Sequence, residues 1–517
     1  MGIPLLQTFL RNNHWNFRTY RLHRTKVVID GPNISNALYN EAKIFNQFNG
    51  EYLQYEALVE QFLLNMRKCE VEPIFVFDGL HEPTKLDTCM KRLSENLRRM
   101  AAFQESYATS SVPAENTERP ENKCLLIYAV FVAVLKRLNM KFVFVDYEAD
   151  HAVAELAIKL KCPVMSKDSD FFIFTNYWGE CGDYCFIQPI PFNASPKSFG
   201  NRLFDGVYSF GDLRGADVED VKQSESTYVC ARPLRQLIYS ALFQMEGAEL
   251  RGLRGIQGGS ENPYIREILR KDHMQIAETA VNLLKVNFDT PQQMIKLHLG
   301  LPWERSSLPN SLHTLAYASF IVLNSARGKQ QQTGDQRTTV ASSPIVVATL
   351  AVSVAAFALH QQETLQCTTT EEVLADRIRQ QLSLMNPKDS AQSSLNFHYM
   401  HIYSQLQIVY VTLVTLGAVI TAIKAPGEGD AELGSTDMAS FCFPSGRLAH
   451  RLAVRLGRLP QSARGKEICE VIFPQLLEQS STGGDSPRPL SETVLSQVVS
   501  NYTKVIGLVD ALLESQK

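Results

Sequence analysis

The stretch KFVFVDYEADHAVAELAIKL (141–160) contains one complete unit of the fold. Its first residues are almost all apolar, as expected for a strand that is covered on both faces of a sheet. From residue 149 onward, apolar residues recur at helical spacing. Three more runs have the strand pattern: KVVID (26–30), PIFVFDG (73–79) and CPVMSKD (162–168). Helical patterns lie between them, at 57–68, 85–103 and 125–138. This alternation predicts an α/β domain with a doubly wound parallel sheet.

The chain has 517 residues, which is long for one hydrophobic core and indicates at least two domains. The strand–helix alternation covers residues 1–175. It weakens over 176–232, where Pro, Gly, Ser and Asn accumulate. Residues 233–517 are mostly of helical periodicity and predict a helical C-terminal domain, with a polar linker near 325–343.

Composition is that of an ordinary folded protein, with 45% hydrophobic and 20% charged residues and a formal net charge of -3. This charge offers no global attraction to nucleic acid, so any such binding depends on local basic patches. The ten cysteines are scattered, which favours reduced thiols over disulfides or a zinc site. The N-terminus lacks the pattern of a signal peptide, and we expect a soluble nuclear or cytoplasmic protein.

Two apolar stretches, 344–359 and 407–423, approach the length of membrane spans. A spanning helix needs roughly 20 apolar residues, and neither stretch has a basic flank with an aromatic belt. Buried core segments are therefore the favoured interpretation, and a membrane hairpin is the alternative.

Acidic residues follow the four predicted strands. They are Asp30, Asp78, Glu148, Asp150, Asp168 and Asp170. Because the carboxyl ends of parallel strands share one edge of a sheet, we expect these side chains to converge there. So many carboxylates repel one another unless a positive charge compensates them.

Divalent cations are the economical compensation for this repulsion. Oxygen ligands without His or Cys favour Mg²⁺ or Mn²⁺ over zinc. Two such ions about 3.5–4 Å apart are a common arrangement for phosphodiester hydrolysis. The alternative for any single acid is an ordinary helix N-cap after a strand.

Several phrases resemble the flap endonuclease and xeroderma pigmentosum group G superfamily. They are MGI at the start, VVIDG, IFVFDG, YEAD (147–150) and DSD (168–170). Within that superfamily, FVDYEADHAVAELA, CPVMSKDSDFFIF and RPLRQLIYSALF are most similar to the asteroid proteins. The resemblance implies a PIN-like nuclease domain that uses two magnesium ions to cut branched or flapped DNA.

The same resemblance implies roles for individual residues. The six acids match the family's catalytic, metal-binding set. Four residues match DNA-contacting positions: Gly2 near the cleavage site, and Lys85, Arg92 and Arg99 on a basic helix of an arch over the active site. Separately, we expect the helical C-terminal domain to be the part of the chain that binds any protein partners.

The sequence also departs from the superfamily pattern. Active members have a further aspartate beyond the DxD phrase, followed by a helical hairpin that grips DNA. Asp217 lies in a Gly-x-Asp sequence of the expected kind, in LRGADVED (213–220), but no such hairpin pattern follows it. The alternative is therefore a nuclease-like scaffold that cuts poorly, and the asteroid resemblance associates such a scaffold with growth-factor receptor signalling.

A second basic pattern lies in GRLAHRLAVRLGRLP (446–460). Arg447, Arg451, Arg455 and Arg458 share one face of a predicted helix. Two interpretations apply to this face: a patch for nucleic acid or an acidic partner, or a solvated face of a packed helix.

Overall fold

The structure is a computed structural model. It describes residues 12, 22–42, 44–79, 91, 95, 98–105, 107, 124–145, 148–168, 171, 230–235, 237–238, 308–330, 339–366, 395–424, 439–477 and 492–515. The predicted connection at 176–232 lies almost entirely outside these residues.

The chain divides into two compact units. The first takes Met1–Ile44, Tyr55–Met90 and Ile127–Ser209, and the second takes Phe45–Gln54, Lys91–Leu126 and Phe210–Lys517. These units are not contiguous in sequence, unlike the predicted domains 1–175 and 233–517. Two segments from the N-terminal third belong to the C-terminal unit.

The first unit contains a parallel four-stranded sheet in the order β3-β2-β1-β4. Its strands are β1 Lys26–Asp30, β2 Glu72–Phe77, β3 Lys141–Phe144 and β4 Val164–Met165. Its helices are α1 Gly31–Glu41, α2 Tyr52–Lys68, α3 Ile127–Arg137 and α4 Ala149–Leu160. The first three residues of α2 are assigned to the second unit. The predicted parallel sheet and its helices are confirmed. β4 is shorter than the predicted strand at 162–168.

Helices cover both faces of this sheet. Successive residues of a strand point to opposite faces, so each strand contributes side chains to both helix layers. On one face, Val28 and Val76 form a buried core with Val153 of α4. On the other face, the rings of Phe75 and Phe77 pack against Phe131 of α3, with centroids 5.5 and 6.3 Å apart. A doubly wound sheet results.

The second unit is mainly helical, as predicted. Its helices are α5 Asn310–Gln330, α6 Pro344–Gln366, α7 Phe397–Lys424, α8 Ala439–Cys442, α9 Gly446–Gly457, α10 Gln461–Glu467, α11 Phe473–Leu477 and α12 Glu492–Ser515. A short 3₁₀ turn at Val340–Ser342 precedes α6, and a π-helical turn at Ile468–Ile472 joins α10 to α11. Helix α5 extends to Gln330, into the segment predicted as a polar linker.

The two long apolar stretches form the core helices α6 and α7. Residues 344–359 of α6 are buried on almost every side, which suits a helix packed among other helices. The prediction of buried core segments is confirmed for 344–359 and, in the second stretch, for residues 407–418, whose burial the structure describes. Within the described part of the chain, no helix has the combined length and hydropathy that crossing a membrane requires.

Residues 45–54 are built into the helical unit by a buried polar network. The Asn49 side chain donates to the carbonyl of Met400 at 2.8 Å and to the hydroxyl of Ser404 at 2.7 Å. The Gly446 N–H donates to the carbonyl of Gly50 at 2.8 Å. The Arg447 N–H donates to the buried Glu51 carboxylate at 2.9 Å. These contacts join residues about 350 to 400 positions apart in sequence.

The described helical residues at 98–105 also belong to this unit. Met100 and Phe103 are buried in a core with Leu395 and Met400. The Phe103 ring meets Phe397 edge to face, with centroids 6.1 Å apart. One face of the predicted basic helix is therefore an apolar packing face.

Helix α9 differs from both interpretations of its arginine face. The Arg447 guanidinium lies 4.7 Å from the centroid of the Phe45 ring, and Arg455 pairs with Glu467. Arg447, Arg451 and Arg455 are half-buried, and Arg458 is exposed. The face is partly covered by its own unit, so it is neither a fully solvated face nor a continuous cationic stripe.

Candidate functional site

Asp30 ends β1 and begins the site. Its side chain is 6% exposed and caps helix α1, with Oδ1 accepting from the Asn33 N–H at 3.2 Å. Its other oxygen, Oδ2, accepts from the Ser166 hydroxyl at 2.7 Å. Pro32 in the first turn of α1 has the preset backbone angle that suits a helix start. Strand, cap and helix thus hold this carboxylate in one orientation.

Asp78 follows β2 directly and reaches the next helix. Its Oδ1 accepts from the Ala149 N–H at 2.8 Å, at the first turn of α4. Glu148 occupies the N-cap position of α4 but makes no capping bond with its own side chain. Asp78 therefore caps α4 from a neighbouring strand, and this places it beside Glu148 and Asp150.

The segment after β4 is tied to the end of β1. The Ser166 hydroxyl that donates to Asp30 also accepts from the Asp168 N–H at 3.0 Å. The Asn33 side-chain oxygen accepts from the Lys167 N–H at 2.8 Å. These bonds bring Asp168 to the same edge as Asp30. They also account for the early end of β4, since Ser166 and Lys167 bond to the region around Asp30 instead of extending the ladder.

Sequence reasoning missed Ser166 and Asn33. A signal was present, because Ser and Asn one to three residues from an acid at a strand end are typical local hydrogen-bonding residues. Their partners could not be assigned without the fold, since Ser166 and Asp30 are 136 residues apart.

Electrostatics show that the acids share one neighbourhood. Burial raises the pKa of Asp30 to about 6; the bonds from Ser166 and Asn33 oppose this rise, and the charges of Asp78 and Asp168 add to it. The pKa of Asp150 is raised to about 7, first by burial and then by four acids. Those four are Asp30, Asp78, Asp168 and Glu148. Five of the six predicted acids thus interact at one edge of the sheet.

The remaining predicted site residues have different positions. Asp170, Gly2, Lys85, Arg92 and Asp217 lie outside the described residues. Arg99 is described and belongs to the helical unit, where its exposed guanidinium pairs with Glu95 at 3.3 Å. The assignment of all these residues to metal or DNA stays a prediction.

The donor chemistry of the acid cluster fits a hard divalent cation. Its donors are carboxylate oxygens, which such cations prefer. Burial and four neighbouring acids all raise the pKa of Asp150, which indicates that the negative charge of the cluster is not balanced by nearby positive groups. In the part of the chain that the structure describes, however, no three acidic, His or Cys side chains are close enough to hold an ion as they stand. Asp170, the sixth acid, is not among those residues.

Comparisons with known proteins agree with this architecture. The family described as XPG N-terminal domain matches residues 1–99. Protein asteroid of Drosophila melanogaster is 31% identical over 175 residues, which are 34% of this chain and 19% of that protein. The N-terminal third of the chain is thus similar to the asteroid proteins and to XPG-like nucleases.

Other proteins similar to this chain carry an enzymatic name. A protein named single-strand DNA endonuclease ASTE1 from Danio rerio is 32% identical over 177 residues, which are 34% of this chain and 24% of the relative. The Homo sapiens protein of the same name is 31% identical over 184 residues, 35% of this chain and 26% of the relative. The match therefore spans about a quarter or less of the length of these relatives. No solved structure matches the chain.

Proposed function

We propose that this chain is a metal-dependent DNA endonuclease of the XPG-like type. Its substrate would be branched or flapped DNA, and its reaction the hydrolysis of a phosphodiester bond. The observation that supports this most is the gathering of five carboxylates at the carboxyl edge of the sheet, where burial, together with the neighbouring acids, raises the pKa values of Asp30 and Asp150. The names of the relatives support DNA with a single-stranded part as the substrate class.

The proposed metal ligands are Asp30, Asp78, Glu148, Asp150, Asp168 and Asp170. Two Mg²⁺ ions, or Mn²⁺ in their place, would supply an activated water and neutralise charge on the scissile phosphate. The cluster contributes negative charge and hard oxygen donors, which a divalent cation needs. Asp30 and Asp78 each cap a helix through Oδ1, and a carboxylate has about four lone-pair sites, so capping a helix and binding a cation are compatible.

The protein's own residues would keep this cluster in order. Ser166 joins Asp30 to the backbone of Asp168, so that ligands from two strands move as one group. Asp78 joins β2 to the start of α4 in the same way. These hydrogen bonds pre-orient carboxylates that would otherwise separate by repulsion.

Four residues are proposed to contact DNA: Gly2, Lys85, Arg92 and Arg99. Of these, Arg99 has a described side chain, which is exposed and pairs with Glu95. An exposed ion pair contributes little, so a phosphate can compete for the guanidinium at low cost. Phosphate contacts of this kind would position the strand without reading its sequence.

A nuclease-like scaffold is the second candidate function. The observation that favours it is that no three described side chains are arranged to hold an ion without movement. In that case the acids would persist as helix caps, a role that Asp30 and Asp78 both perform in the structure. Growth-factor receptor signalling is the context proposed for such a scaffold.

Cleavage assays distinguish the two functions. Labelled single-stranded, flapped, splayed and fully paired DNA should be incubated with Mg²⁺ or Mn²⁺ and the wild-type chain. We expect cleavage of the substrates that carry a single-stranded part, and its loss in the variant Asp168→Ala/Asp170→Ala. Removal of a ligand pair from such a site typically lowers the rate by orders of magnitude.

The matched control is Glu72→Gln. Glu72 is an acid of the same unit at the opposite end of β2, where it pairs with Lys141. This variant should cleave like the wild type. Equal, metal-independent background from the wild type and the double variant would reject the enzyme and favour the scaffold.

A further inference from the structure

Tyr128 stands out on the surface of the α/β unit. Among the residues that the structure describes, it is the only large hydrophobic side chain that is exposed, at 39%. It is the second residue of α3, a helix whose other aromatic and aliphatic side chains are mostly buried. A single exposed apolar side chain is normal on a protein surface. What distinguishes Tyr128 is the support that it receives from other rings and its position in the fold.

The ring of Tyr128 rests on other aromatic rings. It meets Phe77 edge to face, with centroids 5.2 Å apart, and Phe144 with centroids 6.1 Å apart. Phe77 and Phe144 are themselves stacked at 5.2 Å, and Phe142 meets Phe144 at 5.9 Å. This group, Tyr128 with Phe77, Phe142 and Phe144, is called the aromatic cluster. It supports Tyr128 from beneath, so the ring can offer a stable flat surface.

The aromatic cluster adjoins the acidic edge of the sheet. Phe77 immediately precedes Asp78 in the chain. A Cβ added to Gly31, the residue after Asp30, would lie 2.3 Å from the Phe77 ring, so this ring presses against the start of α1. Tyr128 is therefore separated from the segments that carry Asp30 and Asp78 by a single aromatic ring.

This placement suits an unpaired nucleobase. Every base has a π-face that can stack on an aromatic side chain, whereas bases in a duplex already stack on each other. In a strand whose phosphate lies at the acids, the neighbouring bases are joined to that phosphate through the adjacent sugars and so lie close to it. A supported, exposed ring beside the acids can hold one such base.

We propose that Tyr128 is a stacking platform for an unpaired base of the DNA strand whose phosphate lies at the acidic edge. This inference rests on the proposed endonuclease function and adds a substrate-positioning residue to it. Tyr128 would favour strands that are single-stranded next to the cleaved bond. The residue would act on binding and register, and the acids on hydrolysis.

Equilibrium binding of oligothymidylate to the full chain tests the stacking. The measurement is fluorescence anisotropy in buffer with Ca²⁺, which balances the acids with a hard cation. We expect Tyr128→Phe to bind like the wild type, because the ring is kept. Tyr128→Leu keeps an apolar side chain over Phe77 and Phe144 but has no π-face, and it should bind about 5- to 100-fold more weakly.

A second probe separates stacking from damage to the fold. An oligothymidylate with one abasic position, moved along the strand, should bind the wild type more weakly at one or two positions. The Tyr128→Leu variant should show no such dependence, since the base has no ring to stack on. Thermal unfolding of both variants reports whether the fold is intact.

The outcomes separate this inference from the proposed function. If Tyr128→Leu binds oligothymidylate as tightly as the wild type does, the stacking platform is overturned, whether or not the variant cleaves DNA. Tyr128 would then remain a candidate contact for a protein partner. Weakened binding in Tyr128→Leu, together with no metal-dependent cleavage by the wild type, supports the platform and rejects the endonuclease. Absence of any binding to oligothymidylate by the wild type overturns the platform.

Discussion

Replacing Ser166 with alanine would remove a single hydroxyl that connects two of the predicted metal ligands. The Ser166 hydroxyl donates to Asp30 Oδ2 at 2.7 Å and accepts from the Asp168 N–H at 3.0 Å. Of the two hydrogen bonds described for the buried Asp30, Ser166→Ala keeps the one from the Asn33 N–H. We expect a loss of folding stability that depends on pH.

The size of this loss follows from the charge on Asp30. A hydrogen bond to a buried charged group contributes about 2 kcal/mol, and one to a neutral group about 1 kcal/mol. The pKa of Asp30 is about 6, so the carboxyl is ionised at about pH 8 and mostly protonated at about pH 5. Because the bond stabilises the ionised form, its removal raises this pKa further. Ser166→Ala should therefore cost about 2 kcal/mol at the higher pH and about half of that at the lower pH.

Urea unfolding followed by circular dichroism measures the effect at both pH values, with EDTA present. Ser35→Ala is the matched control. Ser35 is a buried serine of the same unit whose hydroxyl donates to the carbonyl of Pro32. Within the described residues, this hydroxyl has no carboxylate as a hydrogen-bond partner. Its substitution should cost the same at both pH values.

An equal loss at the two pH values in Ser166→Ala would refute the assignment of the bond to an ionisable Asp30. A loss below about 0.5 kcal/mol would refute the bond itself. Ser166→Thr, which keeps a hydroxyl at the same position, should recover most of the stability.

Three further predictions concern the acids and the helical unit. Burial raises the pKa values of Asp30 and Asp150 in the folded chain to about 6 and about 7. Without divalent cations, the free energy of unfolding should therefore rise as pH falls from about 7 to about 4, by about 2 kcal/mol through Asp30 and about 3 kcal/mol through Asp150. Mn²⁺ should flatten this dependence in urea titrations. Gly446→Ala places a Cβ 2.0 Å from a backbone carbonyl and should destabilise the chain by about 1–3 kcal/mol in thermal melts, whereas Gly507→Ala, with open space around it, should be neutral or stabilising. Phe103→Ala removes a ring from a buried core and should lower the free energy of unfolding by about 3–5 kcal/mol. Phe103→Leu keeps part of the apolar volume and should lower it clearly less. A small loss of stability in both variants would contradict this packing.

The α/β unit could be predicted from sequence because its elements are local patterns. Short apolar runs such as KVVID form strands at the predicted places, and 149–160 forms the predicted helix. The ends of elements were less predictable. β4 covers Val164–Met165 alone, since the residues after it bond to the region around Asp30.

Convergence of the acids was also predictable in outline. Parallel strands place their carboxyl ends at one edge, and acids that follow four such strands must meet there. Besides burial, the charges of Asp30, Asp78, Asp168 and Glu148 raise the pKa of Asp150, which agrees with this expectation. Among the described residues, however, no three of these side chains are close enough together to hold an ion. The hydrogen bonds within the cluster could not be predicted, because several capping schemes suit the same sequence. Asp78, for example, caps a helix that begins 71 residues later.

The sequence by itself determined the periodicities, the acids at the strand ends and the apolar character of α6 and α7. These depend on residues that are near one another in the chain, so a pattern reveals them. Only the tertiary structure decided that residues 45–54 and 98–105 pack within the helical unit, that Ser166 holds Asp30, and that Tyr128 is exposed above Phe77. Each of these depends on contacts between distant residues, where side-chain shape and hydrogen-bond geometry select one partner among many that the sequence would allow.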